Sequence, residues 1–224
     1  SPHTSLLWAL EVLAWDPAHL PRVSLILARL AAIDPGGRLS NRPINSLRSI
    51  FLSWSPNTNA TLQERIGALD GIIKNIPAIG WELLTTLLPR LRDTSIPSAK
   101  PTFRESAASD AEKLTYGVVW ASSREIINRA LVQAEGRADR LIKIIEAMHS
   151  FEPASQIKTL EVVEEFLAKN EQGDRNSVWA SLRDEANKNM TFADADWTIK
   201  NEELARINQL VQDYQPSDPI TLNT

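Results

Sequence analysis

Cysteine is absent, which excludes disulfides and thiolate metal sites. Only three histidines are present, His3, His19 and His149. They are too scattered for His-Glu-x-x-His, so a zinc-protease centre is excluded. Neither Gly-x-x-x-x-Gly-Lys-Ser/Thr nor Gly-x-Gly-x-x-Gly occurs, and there is no Gly-x-Ser-x-Gly elbow. No apolar run reaches the ~20 residues that span a bilayer, and Arg29 interrupts the longest, around Val23–Ile33. There is no signal-peptide pattern. These absences predict a cytoplasmic chain without metal, cofactor, membrane or catalytic machinery. The chain opens on Ser and enters an apolar helix almost at once, as expected of a segment cut from a longer polypeptide.

Net charge is −4, so no global basic field favours nucleic acid. The charge is uneven, with +3 over residues 1–105 and −7 over 106–224. Solvated helix faces of different composition account for this, with a charged docking surface as the alternative.

What is present is helical periodicity broken by proline and glycine. Residues 5–15 read as a short helix, apolar nearly all round and therefore buried on most sides. Pro17 ends it, because the residue before a proline is forced out of the helical region. Residues 18–33 form a second helix, with Leu20, Val23, Leu27 and Leu30 inward, joined by Ile26 and Ile33. Asp34-Pro35-Gly36-Gly37 stops it, with the glycines as a helix terminus and turn rather than a phosphate loop. Pro43 suits the first turn of a third helix, running to Trp54. Trp54-Ser55-Pro56 then echoes Trp15-Asp16-Pro17 at an offset of 39 residues. Val23, Leu27, Leu30 and Ile33 map by the same offset onto Leu62, Ile66, Leu69 and Ile72, in a fourth helix at 60–75. Gly80–Leu88 begins a third unit.

A helical pair recurring near 39 residues lies between the tetratricopeptide period of ~34 and the HEAT period of ~40–47. The expected fold is all-α, a right-handed α-α superhelix of TPR- or HEAT-like repeats with about ten helices. An irregular bundle is the alternative. Residues 1–92 would hold the repeat-like pairs. Residues 93–108 would be a proline-rich basic linker, and 109–224 a second, more acidic helical subdomain. In that second part the expected inward positions are Tyr116, Trp120, Ile127 and Leu131 on a helix at 110–134. They continue with Leu141, Ile144, Ile145 and Met148 at 137–150, then with Ile157, Leu160, Val163, Phe166 and Leu167 after Pro153. Val178, Trp179, Leu182 and Ala186 follow at 174–190, and Leu204, Ile207, Leu210 and Tyr214 in a last helix introduced by Trp197.

No constellation points to catalysis. Acidic clusters such as Glu161/Glu164/Glu165 sit near lysines, with Lys158 and Glu161 spaced to pair across a turn. His149, at a helix end, reads as a partner for the helix dipole. Trp8, Trp15, Trp54 and Trp81 read as core and turn locks, or else as exposed anchors for a partner. The best candidate site is the turn around Arg38, Asn41, Arg42, Asn45 and Arg48, where arginines could converge on a carboxylate or phosphate. A purely structural alternative has Asn41 or Asn45 capping the third helix and Arg42 reaching a helix C-terminal carbonyl. Arg90, Arg92, Lys100 and Arg104 are secondary candidates.

Two stretches carry a family resemblance. One is Leu6-Leu7-Trp8-Ala9-Leu10-Glu11-x-Leu13-Ala14-Trp15-x-Pro17, continuing Leu20-x-Arg22-Val23-x-Leu25-Ile26-Leu27-Ala28-Arg29-Leu30-Ala31-x-Ile33-Asp34-Pro35-Gly36-Gly37. The other is Asn41-Arg42-Pro43-x-Asn45-Ser46-Leu47-Arg48-x-Ile50-Phe51-Leu52. Weaker echoes are Trp81-x-Leu83-Leu84-x-x-Leu87-Leu88-Pro89 and Asp194-Ala195-Asp196-Trp197. The chain resembles the C-terminal helical-repeat region of large bacterial STAND NTPases of the antiviral Avs type, most closely over residues 5–52 and loosely after 105. The resemblance implies a non-catalytic sensor segment that recognises a phage protein. A P-loop NTPase and an effector domain would lie elsewhere in the parent chain. No contact residue of that family maps onto these positions. The alternative is a structural spacer or oligomerisation module of a large ATPase.

Overall fold

A computed structural model of the chain describes residues 2–37, 41–95, 100–101, 113–170, 172–192, 195, 198–199 and 201–216. The described residues form ten α-helices and no strand. The protein is all-α. No helix among the described residues is long and apolar enough to cross a membrane. The chain divides into two compact units, Ser1–Leu87 with Asp93–Ile126, and Leu88–Arg92 with Ile127–Thr224.

The first unit holds α1 (Pro2–Leu13), α2 (Leu20–Ala32), α3 (Pro43–Phe51), α4 (Leu62–Asn75), α5 (Pro77–Leu87) and the start of α6 (Tyr116–Gln133). Pro21 and Pro43 fall in the first turns of α2 and α3, where their missing N–H costs nothing. α4 opens on a reciprocal capping box. Thr61 Oγ1 accepts from the Glu64 N–H at 3.3 Å, and Glu64 Oε2 accepts from the Thr61 N–H at 2.8 Å. This satisfies two donors that a helix start otherwise leaves bare. Thr61→Ala is therefore expected to lower the unfolding free energy by about 1 kcal/mol in urea titration.

The helices pack with neighbours in an alternating order. α1 lies against α2 and α3, α2 also against α3 and α4, α3 against α5, and α4 against α5. The core consists of the inward positions of these contacts, among them Leu7, Leu20, Leu27, Leu47, Ile50, Leu69, Ile72, Leu83 and Leu84. The positions matched by the 39-residue offset differ at their ends. Leu27 and Ile66 are both buried, but Ile33 is exposed where Ile72 is buried. α2 has already ended at Ala32, so Ile33 lies in the departing turn.

Several inward assignments are corrected. α1 buries Leu7 and Leu10 but leaves Leu6 and Trp8 in solvent, so it is covered on one face rather than all round. Ile26 is also exposed, and Ser24 and Ala28 take the inner side of α2. α6 starts at Tyr116, after a non-helical 113–115, and Tyr116 and Trp120 face outward. The buried stripe of its N-terminal half runs through Ser122 and Ile126. The Ser122 hydroxyl donates to Ser53 Oγ at 3.2 Å, which fixes this helix against the turn after α3.

The second unit holds the rest of α6 with α7 (Ala138–Ala147), a 3-10 turn (Met148–Ser150), α8 (Pro153–Lys169), α9 (Gln172–Thr191) and α10 (Asn201–Asp213). α7 packs on α9, and both α8 and α9 pack on α10. Leu141, Ile144, Ile145 and Met148 are fully buried, as their period predicts, and so are Val178 and Leu182, with Trp179 and Ala186 close behind. Trp179 Nε1–H donates to the Val211 carbonyl at 2.9 Å, which ties α9 to α10. Ile157 is exposed rather than inward, and Thr159 takes a core position by returning its hydroxyl to the Ser155 carbonyl. Lys158 reaches Asn128 Oδ1 at 2.7 Å instead of pairing with Glu161. His149 Nδ1 lies 3.7 Å from the buried carboxylate of Glu185, which Lys188 also faces at 3.4 Å. Trp197 lies outside the described residues.

Candidate docking surface

The arginine turn is built around two carboxylates. Arg42 closes the loop between α2 and α3 as a fork on Asp34, donating from Nε to Oδ2 at 2.8 Å and from Nη2 to Oδ1. Both side chains are mostly buried. Gly36 and Gly37 adopt φ of 80° and 136°, and a Cβ on Gly37 would lie 3.4 Å from Arg42 Nη1. The glycine pair thus supplies the left-handed turn and the room for the guanidinium.

Arg48 is held on α3 by three acceptors. Its Nη2 donates to Asp93 Oδ1, its Nε to the Thr86 carbonyl at 3.2 Å, and its Nη1 to the Thr94 carbonyl at 3.2 Å. Thr86 belongs to the last turn of α5, so Arg48 places positive charge at a helix C-terminus. Asp93 Oδ2 accepts from Trp54 Nε1–H at 3.1 Å. One carboxylate therefore joins α3, the Trp54 turn and the segment after α5.

These contacts correct the capping assignments. The N-cap of α3 is Arg42 in an extended conformation, whose carbonyl accepts from the Asn45 and Ser46 N–H groups, each at 3.0 Å. The N-cap position is thus neither Asn41 nor Asn45, and its own side chain makes no capping hydrogen bond. Arg48, rather than Arg42, reaches a helix C-terminal carbonyl, that of Thr86. Arg42 and Arg48 are drawn to separate carboxylates and do not converge on one acceptor. Arg38 and Arg104 lie outside the described residues. Arg90 and Arg92 are exposed, and Lys100 places its ammonium 5.6 Å from the centroid of the Trp15 ring.

Periodicity places Tyr116 and Trp120 inward where the structure leaves them in solvent, while for Trp8 the exposed alternative holds. Trp8 is 60 % exposed, Tyr116 81 % and Trp120 58 %. The Tyr116 and Trp120 rings sit 6.3 Å apart, one turn apart on α6, at 40° to each other. No local signal distinguishes them, because a stripe at i and i+4 reads alike whether it meets a core or a partner.

Beside the Trp54-Ser55-Pro56 turn lies a pocket of about 210 Å3, walled by Trp54, Pro56 and Leu114, with Ser55, Thr58, Asn59, Ala60 and Arg65 completing it. Arg65, on the second turn of α4, is only 4 % exposed. The sequence did not single it out, because an arginine after a capping box looks like any solvated helix residue.

The groups with shifted ionisation lie elsewhere. The hydrogen bond from Arg137 lowers the Asp139 carboxyl, and the hydrogen bond from Lys169 lowers that of Glu165. Burial lowers Arg140. The two carboxylates belong to exposed helix pairs, so their shifts reflect surface partners rather than an acid–base site. Among the described residues, no group of three His, Cys, Asp or Glu side chains gathers as a metal site.

No protein-family model, no curated protein and no solved structure matches the chain.

Proposed function

We propose that this chain is a non-catalytic, protein-binding helical-repeat segment. The observation that carries this reading is the set of large aromatic side chains, Trp8, Tyr116 and Trp120, held in solvent on well-formed helices of the first unit. Tryptophan and tyrosine supply much contact area at little cost in side-chain entropy, and they dominate the energetics of protein interfaces. The 39-residue echo, together with α1–α3–α5 and α2–α4 as successive neighbours, supports a right-handed stack of TPR- or HEAT-like pairs. The resemblance of residues 5–52 to antiviral STAND NTPases extends the proposal. The segment would be the sensor of a larger bacterial ATPase, and its partner a phage structural protein.

A second reading is a structural spacer within such an ATPase. The internal pairing of Arg42 and Arg48 favours it for the arginine turn, where both guanidinium groups serve the fold.

The test is capture of purified phage structural proteins by the immobilised protein, with Trp8→Ala, Tyr116→Ala and Trp120→Ala alongside. A bound protein whose affinity falls at least about tenfold in one variant is the expected result, since an anchor residue contributes more than about 1.4 kcal/mol. The melting temperatures should stay within about two degrees of wild type, because the side chains are exposed. No binder across the panel, or unchanged affinity in all three variants, overturns the reading.

A further inference from the structure

We propose that the pocket beside Trp54 receives the carboxylate side chain of an aspartate or glutamate from the bound protein partner. This inference rests on the protein-binding reading above and names what part of that partner is recognised.

Size is the first argument. About 210 Å3 lies below the ~300–1,000 Å3 of small-molecule sites, so the pocket suits one side chain rather than a cofactor. Chemistry is the second. Arg65 is the charged residue among those lining the pocket, and its planar guanidinium matches the geometry of a carboxylate. Thr58 Oγ1 accepts from the Ala60 N–H at 3.2 Å, an acceptor role that does not use its own hydroxyl hydrogen. Trp54, Pro56 and Leu114 give one side of the pocket an apolar wall, against which the stem of an acidic side chain can pack.

The surroundings select a monoanion over phosphate. The start of α4 is a natural anion site, but the Glu64 carboxylate already occupies it through the capping box. That charge opposes any second anion, and a dianion twice as strongly as a carboxylate. Asp93, the other acid near the Trp54 ring, is neutralised by Arg48. Its bond to Trp54 Nε1–H also fixes the ring in place before any ligand arrives, which lowers the ordering cost of binding.

The probe is the α-amide of N-acetyl-glutamate, titrated into 15N-labelled protein while the Trp54 indole N–H resonance is followed. Trp54→Phe assigns that resonance. A saturable shift is expected from the glutamate probe and none from the matching N-acetyl-glutamine amide or from inorganic phosphate. Leu114 is exposed, so Leu114→Asp leaves the fold intact while placing a negative charge at the rim. It should weaken binding about fivefold, the size of a like-charge contact near a surface. Arg65→Lys keeps the charge but loses the fork, and should weaken binding about tenfold. Equal shifts from the glutamine amide, tighter binding of phosphate, or indifference to Leu114→Asp each overturn the carboxylate assignment. If the glutamate probe fails while protein capture persists, the pocket assignment falls alone. If the probe binds and no protein is captured, the docking proposal falls instead.

Discussion

Asp93→Ala is expected to be among the most destabilising polar substitutions in the first unit, lowering its unfolding free energy by about 2–4 kcal/mol. The reasoning starts from what the carboxylate joins. Asp93 accepts from Arg48 on one oxygen and from Trp54 Nε1–H on the other, and both members of the ion pair are largely shielded from water. Removing it strands a mostly buried guanidinium, which costs more than the pair itself contributes. The estimate sits below the ~3–5 kcal/mol of fully buried pairs because the Thr86 and Thr94 carbonyls still hold Arg48. Losing the tryptophan bond adds about 1 kcal/mol. Asp93→Asn should fall between, since an amide oxygen still accepts from Trp54 while the charge is lost. The contrasting case is Arg206 with Glu164, a pair with both partners well exposed. Glu164→Ala should cost less than about 1 kcal/mol. Urea unfolding followed by tryptophan fluorescence measures all three, and equal losses at Asp93 and Glu164 would sink the argument from burial.

The same residue shows where sequence reading stops. Asp93 follows Arg48 by 45 positions and Trp54 by 39, so nothing local announces the junction. The arginines stand out as candidate contacts because charge and turn residues concentrate there. Their destinations depend on a three-dimensional closure that periodicity does not encode. Helix existence was legible because proline and glycine punctuate it at Pro17, Pro43, Gly136 and Pro153. The inner face of α7 was legible for a different reason. It carries polar residues opposite its apolar stripe, so one face is chosen. α1 offers no such contrast. With apolar residues all round, its sequence does not say that Leu7 and Leu10 turn inward while Leu6 and Trp8 remain in solvent. Tyr116 and Trp120 mislead in the opposite way, since their spacing matches a buried stripe that begins only further along α6. The pocket was illegible because Leu114 and Arg65 reach it from segments 49 residues apart.

Two glycine-to-alanine substitutions should move stability in opposite directions. Both glycines lie in helices, where alanine is intrinsically preferred by about 1 kcal/mol. Gly67 is exposed, and a Cβ there meets nothing within 4 Å. Gly67→Ala should therefore stabilise by about 0.5–1 kcal/mol. Gly80 is buried where α5 crosses α4. A Cβ there would stand 2.7 Å from Ile73 Cα and 3.2 Å from Ile73 N. Those are backbone atoms, so no rotamer change relieves the clash, and the helices must separate. Separation is resisted nearby, because only Ile76 links the end of α4 at Asn75 to the start of α5 at Pro77. Overpacking of this kind costs about 1–3 kcal/mol and here falls at the upper end, which outweighs the gain in helix propensity. Gly80→Ala should lower the unfolding free energy by about 2 kcal/mol, and a larger residue should lower it further. The sign is decisive. If Gly80→Ala stabilises the protein in urea titration as Gly67→Ala does, the close approach of α4 and α5 is wrong.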